Sequence, residues 1–241
     1  MSGLLGIKDK EMLDILSCRR HFSLWMQSMC TPWEKVVSYG TRITIRPEQQ
    51  LFGTGERIKG IYYLQSGIVR LESYSPEGNR AILLYVPEKN LFGDAAYFNQ
   101  MPVYAIYTAV IDSVAYFFPS SLLEDVIFPK YPDLNRNLTS FLAYKVGVLL
   151  HHLCDLQSTD VRGKVCRLLC DLAQYGNNRS EIYPHITQQE MAIALGLHRA
   201  TFNRIISELR ALGVLGKVTK KRIEILDLER LVQLAEGTYA L

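Results

Sequence analysis

Between Ile186 and Leu226 the chain sets out a helix start, a tight turn, a second helix and a charged hairpin, in that order. Few folds accommodate that sequence of elements. Thr187 and Glu190 form a Thr-x-x-Glu capping box, in which each side chain bonds the other residue's backbone N–H, so a helix is predicted to begin at Gln188. Met191, Ala192, Leu195 and Leu197 supply its apolar face and the turn, and Gly196 lets the chain reverse where a side chain would be strained. A second helix is predicted over 199–212, with Ile205, Ile206, Leu209 and Leu212 facing inward and Arg199, Thr201, Asn203 and Arg204 facing out. Arg matches the acceptors on guanine and Asn the donor and acceptor on adenine, so this face suits a major groove. Gln188 and Gln189, at the start of the first helix, join the candidate DNA-binding set.

Charge distribution supports that reading better than the net charge of +3 does. Residues 1–157 hold 15 Lys/Arg and 15 Asp/Glu, whereas His198 to Arg222 holds seven bases against one acid, Glu208. A local basic patch on a neutral body is the footprint of phosphate contact. Lys217, Lys220 and Lys221 fall on the predicted hairpin and are candidate backbone contacts.

A length of 241 residues with 48% apolar content favours two domains over one. No apolar run approaches the roughly 18 residues a spanning helix needs, and the N-terminus has no signal-peptide pattern, so no membrane partner and a cytoplasmic location are expected. Five cysteines (18, 30, 154, 166, 170) are odd in number and scattered, which argues against a disulfide framework. Cys166 and Cys170, four apart on a predicted helix, read first as small buried residues and second as an oxidisable pair. No His or Cys lies between Thr31 and Leu150. That stretch therefore offers no histidine cluster for a metal and no usual haem ligand, and no cofactor is expected.

From Thr41 to Pro119 short β-rich runs (42–45, 60–64, 68–73, 81–86, 105–110, 113–118) are separated by glycine and proline turns, which predicts an antiparallel sandwich or roll. A single helix is predicted over 133–156. Leu142, Val146, Leu149, Leu153 and Leu156 alternate four and three apart on it, a coiled-coil seam that predicts a parallel homodimer. The expected organisation is α+β: a sensing β-roll domain over 1–132, a dimerisation helix over 133–157, and a winged helix-turn-helix domain over 158–241.

That order resembles the CRP/FNR family of bacterial transcription regulators. Gly60-Ile-Tyr-Tyr-Leu-Gln-Ser-Gly-Ile-Val-Arg-Leu is similar to the family roll's strand pair, Asp160-Val-Arg-Gly-Lys to its hinge, and Gly196-Leu-His-Arg-Ala-Thr-Phe-Asn-Arg to its recognition element. The resemblance implies a non-enzymatic, effector-controlled regulator, an activator that works with RNA polymerase. In the cyclic-nucleotide members the roll carries a phosphate cassette, matched here by Phe92-Gly-Asp-Ala-Ala-Tyr-Phe-Asn-Gln-Met-Pro-Val-Tyr-Ala. The family's ribose-binding acid falls on Asp94. Its phosphate-binding Arg-Ser pair falls on Tyr104 and Ala105, and its adenine-contacting hydroxyl pair on Leu149 and Leu150. Loss of the guanidinium fork and of both hydroxyls argues against cyclic AMP.

In place of a phosphate site the roll has Tyr62, Tyr63, Tyr85, Tyr97, Tyr104 and Tyr107, a lining that fits a small aromatic effector; a ligand-free aromatic core is the rival reading. The candidate effector set is Tyr85, Gly93, Asp94, Tyr97, Tyr104, Lys145 and Leu149. Lys145, one position before seam residue Val146, reads either as a lysine that snorkels to water or as the charge partner of an ionised phenol or carboxylate. Phe141-Leu-Ala-Tyr-Lys-Val-Gly and Leu197-His-Arg-Ala-Thr-Phe-Asn-Arg are similar to stretches of the chlorophenol-responsive members of the family. That resemblance implies a phenol at Lys145. It also implies a palindromic A/T-rich DNA target, because the glutamate with which many relatives read a C·G pair is replaced by Ala200. Two other functions remain open on the sequence: a redox sensor working through Cys18, Cys30 or the Cys166/Cys170 pair, and a cupin-like sugar-binding enzyme, against which the missing histidines count.

Overall fold

The structure, a computed structural model, describes residues 23–157, 160–175, 180–219 and 221–236. Cys18 and Lys220 lie outside the described residues. Two compact units emerge, Leu24–Leu149 and Leu150 onward, so the long helix Pro132–Gln157 contributes to both.

The first unit is a roll of two four-stranded antiparallel sheets. One has the order β1 (Thr41–Ile45), β8 (Ser113–Pro119), β3 (Gly60–Ser66), β6 (Asn90–Phe92); the other runs β2 (Gln50–Phe52), β7 (Ile106–Ala109), β4 (Ile68–Tyr74), β5 (Arg80–Pro87). All six expected strand runs are present. The three-residue strands β2 and β6 are additions, too short to show a period of two. Side chains alternate across each sheet, and the inward set fills the roll with aromatic rings. Phe52 and Tyr107 meet at 4.5 Å between ring centroids, Tyr62 stacks on Phe92 at 5.0 Å, and Phe92 lies 6.1 Å from both Phe52 and Tyr107.

The long helix buries Leu134, Leu138, Phe141, Lys145 and Val148, spaced four and three apart. The same spacing recurs on its other face, where Val146, Leu149, Leu150, Leu153 and Leu156 are exposed. A helix with two apolar stripes uses one to pack on its own domain and leaves the other for a neighbour.

In the second unit the helix Val161–Tyr175 is fixed at its start by Asp160, whose Oδ1 accepts the Gly163 N–H at 2.8 Å. Gly163 leaves the space that this carboxylate occupies. Arg167 then bridges Asp155 at 3.2 Å and Asp160 at 3.4 Å, tying the end of the long helix to the hinge. The helices Gln188–Ala194 and Arg199–Ala211 follow, and β9 (Glu181–Ile182) joins the hairpin of β10 (Leu215–Val218) and β11 (Ile223–Ile225) in the order β10-β11-β9. The last helix, Leu228–Glu236, buries Leu231, Val232, Leu234 and Ala235.

Candidate nucleic-acid interface and sensor site

The helix start predicted at Gln188 is made by the expected chemistry. Thr187 Oγ1 accepts the Glu190 N–H at 3.2 Å, and Glu190 Oε2 accepts the Thr187 N–H at 2.9 Å. Gly196 takes φ +65° at the turn, a conformation L side chains resist. The second helix then anchors on Phe202, Ile205, Ile206 and Leu209, all buried. Sequence reasoning had the last three and missed Phe202, whose spacing from Ile205, Ile206 and Leu209 carried the signal.

Arg199, Ala200, Arg204 and Ser207 are left exposed on one face, with Asn203 half-buried between them. Thr201, expected to face out, is half-buried at the margin of that face. Gln188 is half-buried and Gln189 exposed at the start of the preceding helix. Arg204 is already engaged, forming an i,i+4 ion pair with Glu208. An exposed pair of this kind is worth about 0.3–0.5 kcal/mol, so a phosphate or a guanine edge displaces it cheaply.

Lys217 and Lys221 are exposed on the hairpin, as a phosphate contact requires. Arg222, counted with the basic patch above, is turned away from that duty. Its guanidinium meets Glu181 on β9 at 2.6 Å and Glu224 at 3.7 Å, so it braces the wing against the neighbouring strand. The free cationic surface is correspondingly smaller than the sequence count suggests.

In the roll, the expected effector residues separate. Gly93, at φ +81°, turns the chain into the short helix Asp94–Asn99 and delivers Asp94 to the interior. There Asp94 has no exposed surface, and Lys145 Nζ, reaching from the long helix, donates to its Oδ1 at 2.6 Å. The same ammonium lies 3.4 Å from the Leu91 carbonyl oxygen and 4.7 Å from the centre of the Phe141 ring. Lys145 is thus not a lysine that snorkels to water, and that reading is corrected: helical phase puts position 145 on the buried face with Phe141 and Val148. The other reading, a charge partner for an effector, meets a competitor inside the fold in Asp94.

Tyr97 shares the cassette helix but points to its rim, where its hydroxyl donates to Glu124 at 2.9 Å; burial pushes its phenol up to about 12. Tyr104 is 70% exposed, turned away from the buried pair. Tyr85 is buried on the other side of its sheet, stacked on Trp25 with 4.6 Å between ring centroids, so it does not belong to this site. Leu149 is 38% exposed with the rest of the outer stripe. The sequence named the right residue types but could not assign Tyr85 a side of its sheet, nor tell that Tyr97 and Tyr104 lie on a helix rim and in a loop. Phe141 and Leu91, which also touch Lys145, were missed as contacts.

Burial also bears on the cysteines. Thiolate is the reactive form, and burial pushes both the Cys30 and Cys166 thiols up to about 12, which counts against oxidation at either. Among the described residues no group of three or more His, Cys, Asp or Glu could hold a metal ion, and no helix is long and apolar enough to cross a membrane.

Comparison with known proteins agrees with this division of labour. Residues 42–129 match the cyclic nucleotide-binding domain and residues 163–234 the Crp-like helix-turn-helix domain. A CRP-like cAMP-activated global transcriptional regulator of Mycobacterium tuberculosis is 27% identical over 189 residues, covering 77% of this chain and 84% of that protein. The fold is shared with FixK2 of Bradyrhizobium japonicum, with a TM-score of 0.71 and 20% identity over 81% of this chain and 96% of that one. It is shared too with OCPA-complexed CprK, with a TM-score of 0.68 and 18% identity over 86% of this chain and 97% of that one. An effector-type roll joined to a Crp-like reading domain defines a DNA-binding transcription regulator, a class whose matched relatives are regulators and not enzymes. The two matched domains account for more than half of the chain, which belongs to the CRP/FNR family of transcription regulators.

Proposed function

We propose that this chain is a homodimeric transcription activator that reads a palindromic A/T-rich DNA site when its roll holds a small aromatic effector, a phenol, in place of a cyclic nucleotide. The observation that carries the reading is the Lys145–Asp94 pair. The cassette position that resembles a ribose-binding acid is taken up by a lysine of the long helix, 51 residues away, and no arginine stands where the family binds phosphate. A polar pair in an aromatic surround favours a compact ring with one polar group over a phosphodiester. Because the pair joins the cassette to the long helix, a ligand that alters it shifts the balance between dimer arrangements, and so the spacing of the two reading helices. Productive spacing is about 34 Å, one helical turn of DNA. RNA polymerase is the expected partner on the bound promoter.

A second reading keeps a cyclic nucleotide as effector, on the strength of the matched domain and the cAMP-activated relative. Thermal-shift titration with cyclic AMP, phenol and chlorinated phenols separates the two, followed by gel shift on an inverted-repeat duplex with and without ligand. Stabilisation by cyclic AMP alone would overturn the phenol reading.

A further inference from the structure

Asp94 and Lys145 are both short of partners in a place where that is costly. Asp94 is fully buried; its Oδ1 takes the 2.6 Å bond from Lys145, and among the described residues its Oδ2 has no hydrogen-bond partner. Lys145 has three ammonium protons to place. One goes to Asp94, another makes only a 3.4 Å approach to the Leu91 carbonyl, and the ammonium stands over the Phe141 ring. The pair therefore lacks one donor at the carboxylate and one acceptor at the ammonium. A hydroxyl group supplies both.

Charge decides which form of the hydroxyl fits. Among the described residues, Cys30 and, on β7, Tyr107 are titratable side chains near enough to feel the pair's charges. Burial pushes the Cys30 thiol up to about 12 and the Tyr107 phenol well above its ordinary value, so both stay neutral at working pH. The Asp94–Lys145 unit is thus electrically neutral as a whole. An anion placed against it would meet the carboxylate as closely as the ammonium, in surroundings where an uncompensated charge is expensive.

We infer that Asp94 and Lys145 form a clamp for one neutral hydroxyl, which donates to Asp94 Oδ2 and accepts from Lys145 Nζ, so that the roll takes its aromatic ligand with the proton on. The inference rests on the proposed ligand class and adds the ionisation state that class must have. It reverses the expectation of a phenolate held by lysine, which assumed a cation without a counter-ion.

Calorimetric titration of the full chain with a nitrophenol that ionises within the protein's stable pH range tests this. Affinity is expected to be flat below the nitrophenol's own pKa and to fall about tenfold per pH unit above it. Asp94→Asn keeps the shape and removes the negative charge, so Lys145 is left to attract the anion and the profile should rise towards that pKa instead. The methyl ether of the same nitrophenol, which has no proton to give, is expected not to bind the wild type. That comparison and the wild-type pH profile decide the matter even if the variant does not fold. Wild-type affinity that grows as the ligand ionises, or an ether that binds as well as the phenol, overturns the clamp and leaves phenols as the ligand class. No binding of nitrophenol or phenol at any pH overturns both.

Discussion

Lys145 in the roll and Arg199 in the reading helix carry the same charge in opposite surroundings. Lys145 is buried and held at 2.6 Å by Asp94; Arg199 stands exposed beside Asn203 and Arg204. A buried cation must be partnered inside the fold, and its partner then fixes the two elements that supply the pair. An exposed cation such as Arg204, paired with Glu208 at the surface, gains little from its partner because water screens the pair, and so is open to an outside anion. The Lys145–Asp94 pair thus joins cassette to helix, while Arg199 on the winged helix stays at the surface.

The sharpest way to break that contrast is to remove one member of the buried pair. Asp94→Ala leaves Lys145 inside without a counter-ion and is expected to cost about 3–5 kcal/mol of stability in urea unfolding. Asp94→Leu combined with Lys145→Met should cost less than Asp94→Ala alone, since no unpaired charge remains. A single variant as stable as wild type would show that the pair is not dry.

The outer stripe of the long helix offers the next test. Leu153 is 54% exposed in one chain, so Leu153→Asp should leave the melting temperature of the monomer nearly unchanged. In a dimer it sets two carboxylates in an apolar layer, and sedimentation is expected to show monomers at micromolar protein. An intact dimer would place the subunit interface elsewhere.

On the reading helix a smaller effect is expected, because water can replace the missing side chain. Arg204→Ala should weaken binding to a specific duplex by about 1–3 kcal/mol, read by gel-shift titration, with little change in folding. Equal affinity for wild type and variant would remove Arg204 from the reading set.

The mildest change is at the wing. Replacing Lys217 and Lys221 by Gln should lower the slope of log affinity against log salt by about 0.9 for each phosphate no longer neutralised, uniformly across DNA sequences. An effect confined to one base position would contradict a phosphate role.

How much of this was legible in the chain differs between the two units for a physical reason. The winged helix is built from local signals: a capping box spanning Thr187 to Glu190, a glycine at a left-handed turn, and apolar residues repeating within one helix. Its helices Gln188–Ala194 and Arg199–Ala211 therefore begin where the sequence puts them. What the sequence misjudged there was long-range, namely that Arg222 would be claimed by Glu181 on a strand placed beside the hairpin only by folding. The last helix was overlooked although Leu228, Leu231, Val232 and Ala235 repeat with helical spacing.

In the roll, hydrophobic runs and turn residues located six strands and left β2 and β6 unseen, since three residues carry no readable alternation. Tyr85 could be named but not placed, because a strand's two faces are distinguished only by what packs on them; Tyr97 on the short helix points to its rim, and Tyr104 in the loop before β7 turns outward. The sequence by itself determined the order of elements, the reading helix with its caps, and the two apolar stripes of the long helix, all properties of residues near one another in the chain. The tertiary structure decided which stripe meets the roll, which tyrosines face inward, and that Lys145 is matched by Asp94. Those outcomes depend on groups 51 residues apart being brought within 2.6 Å, and no local pattern encodes that distance.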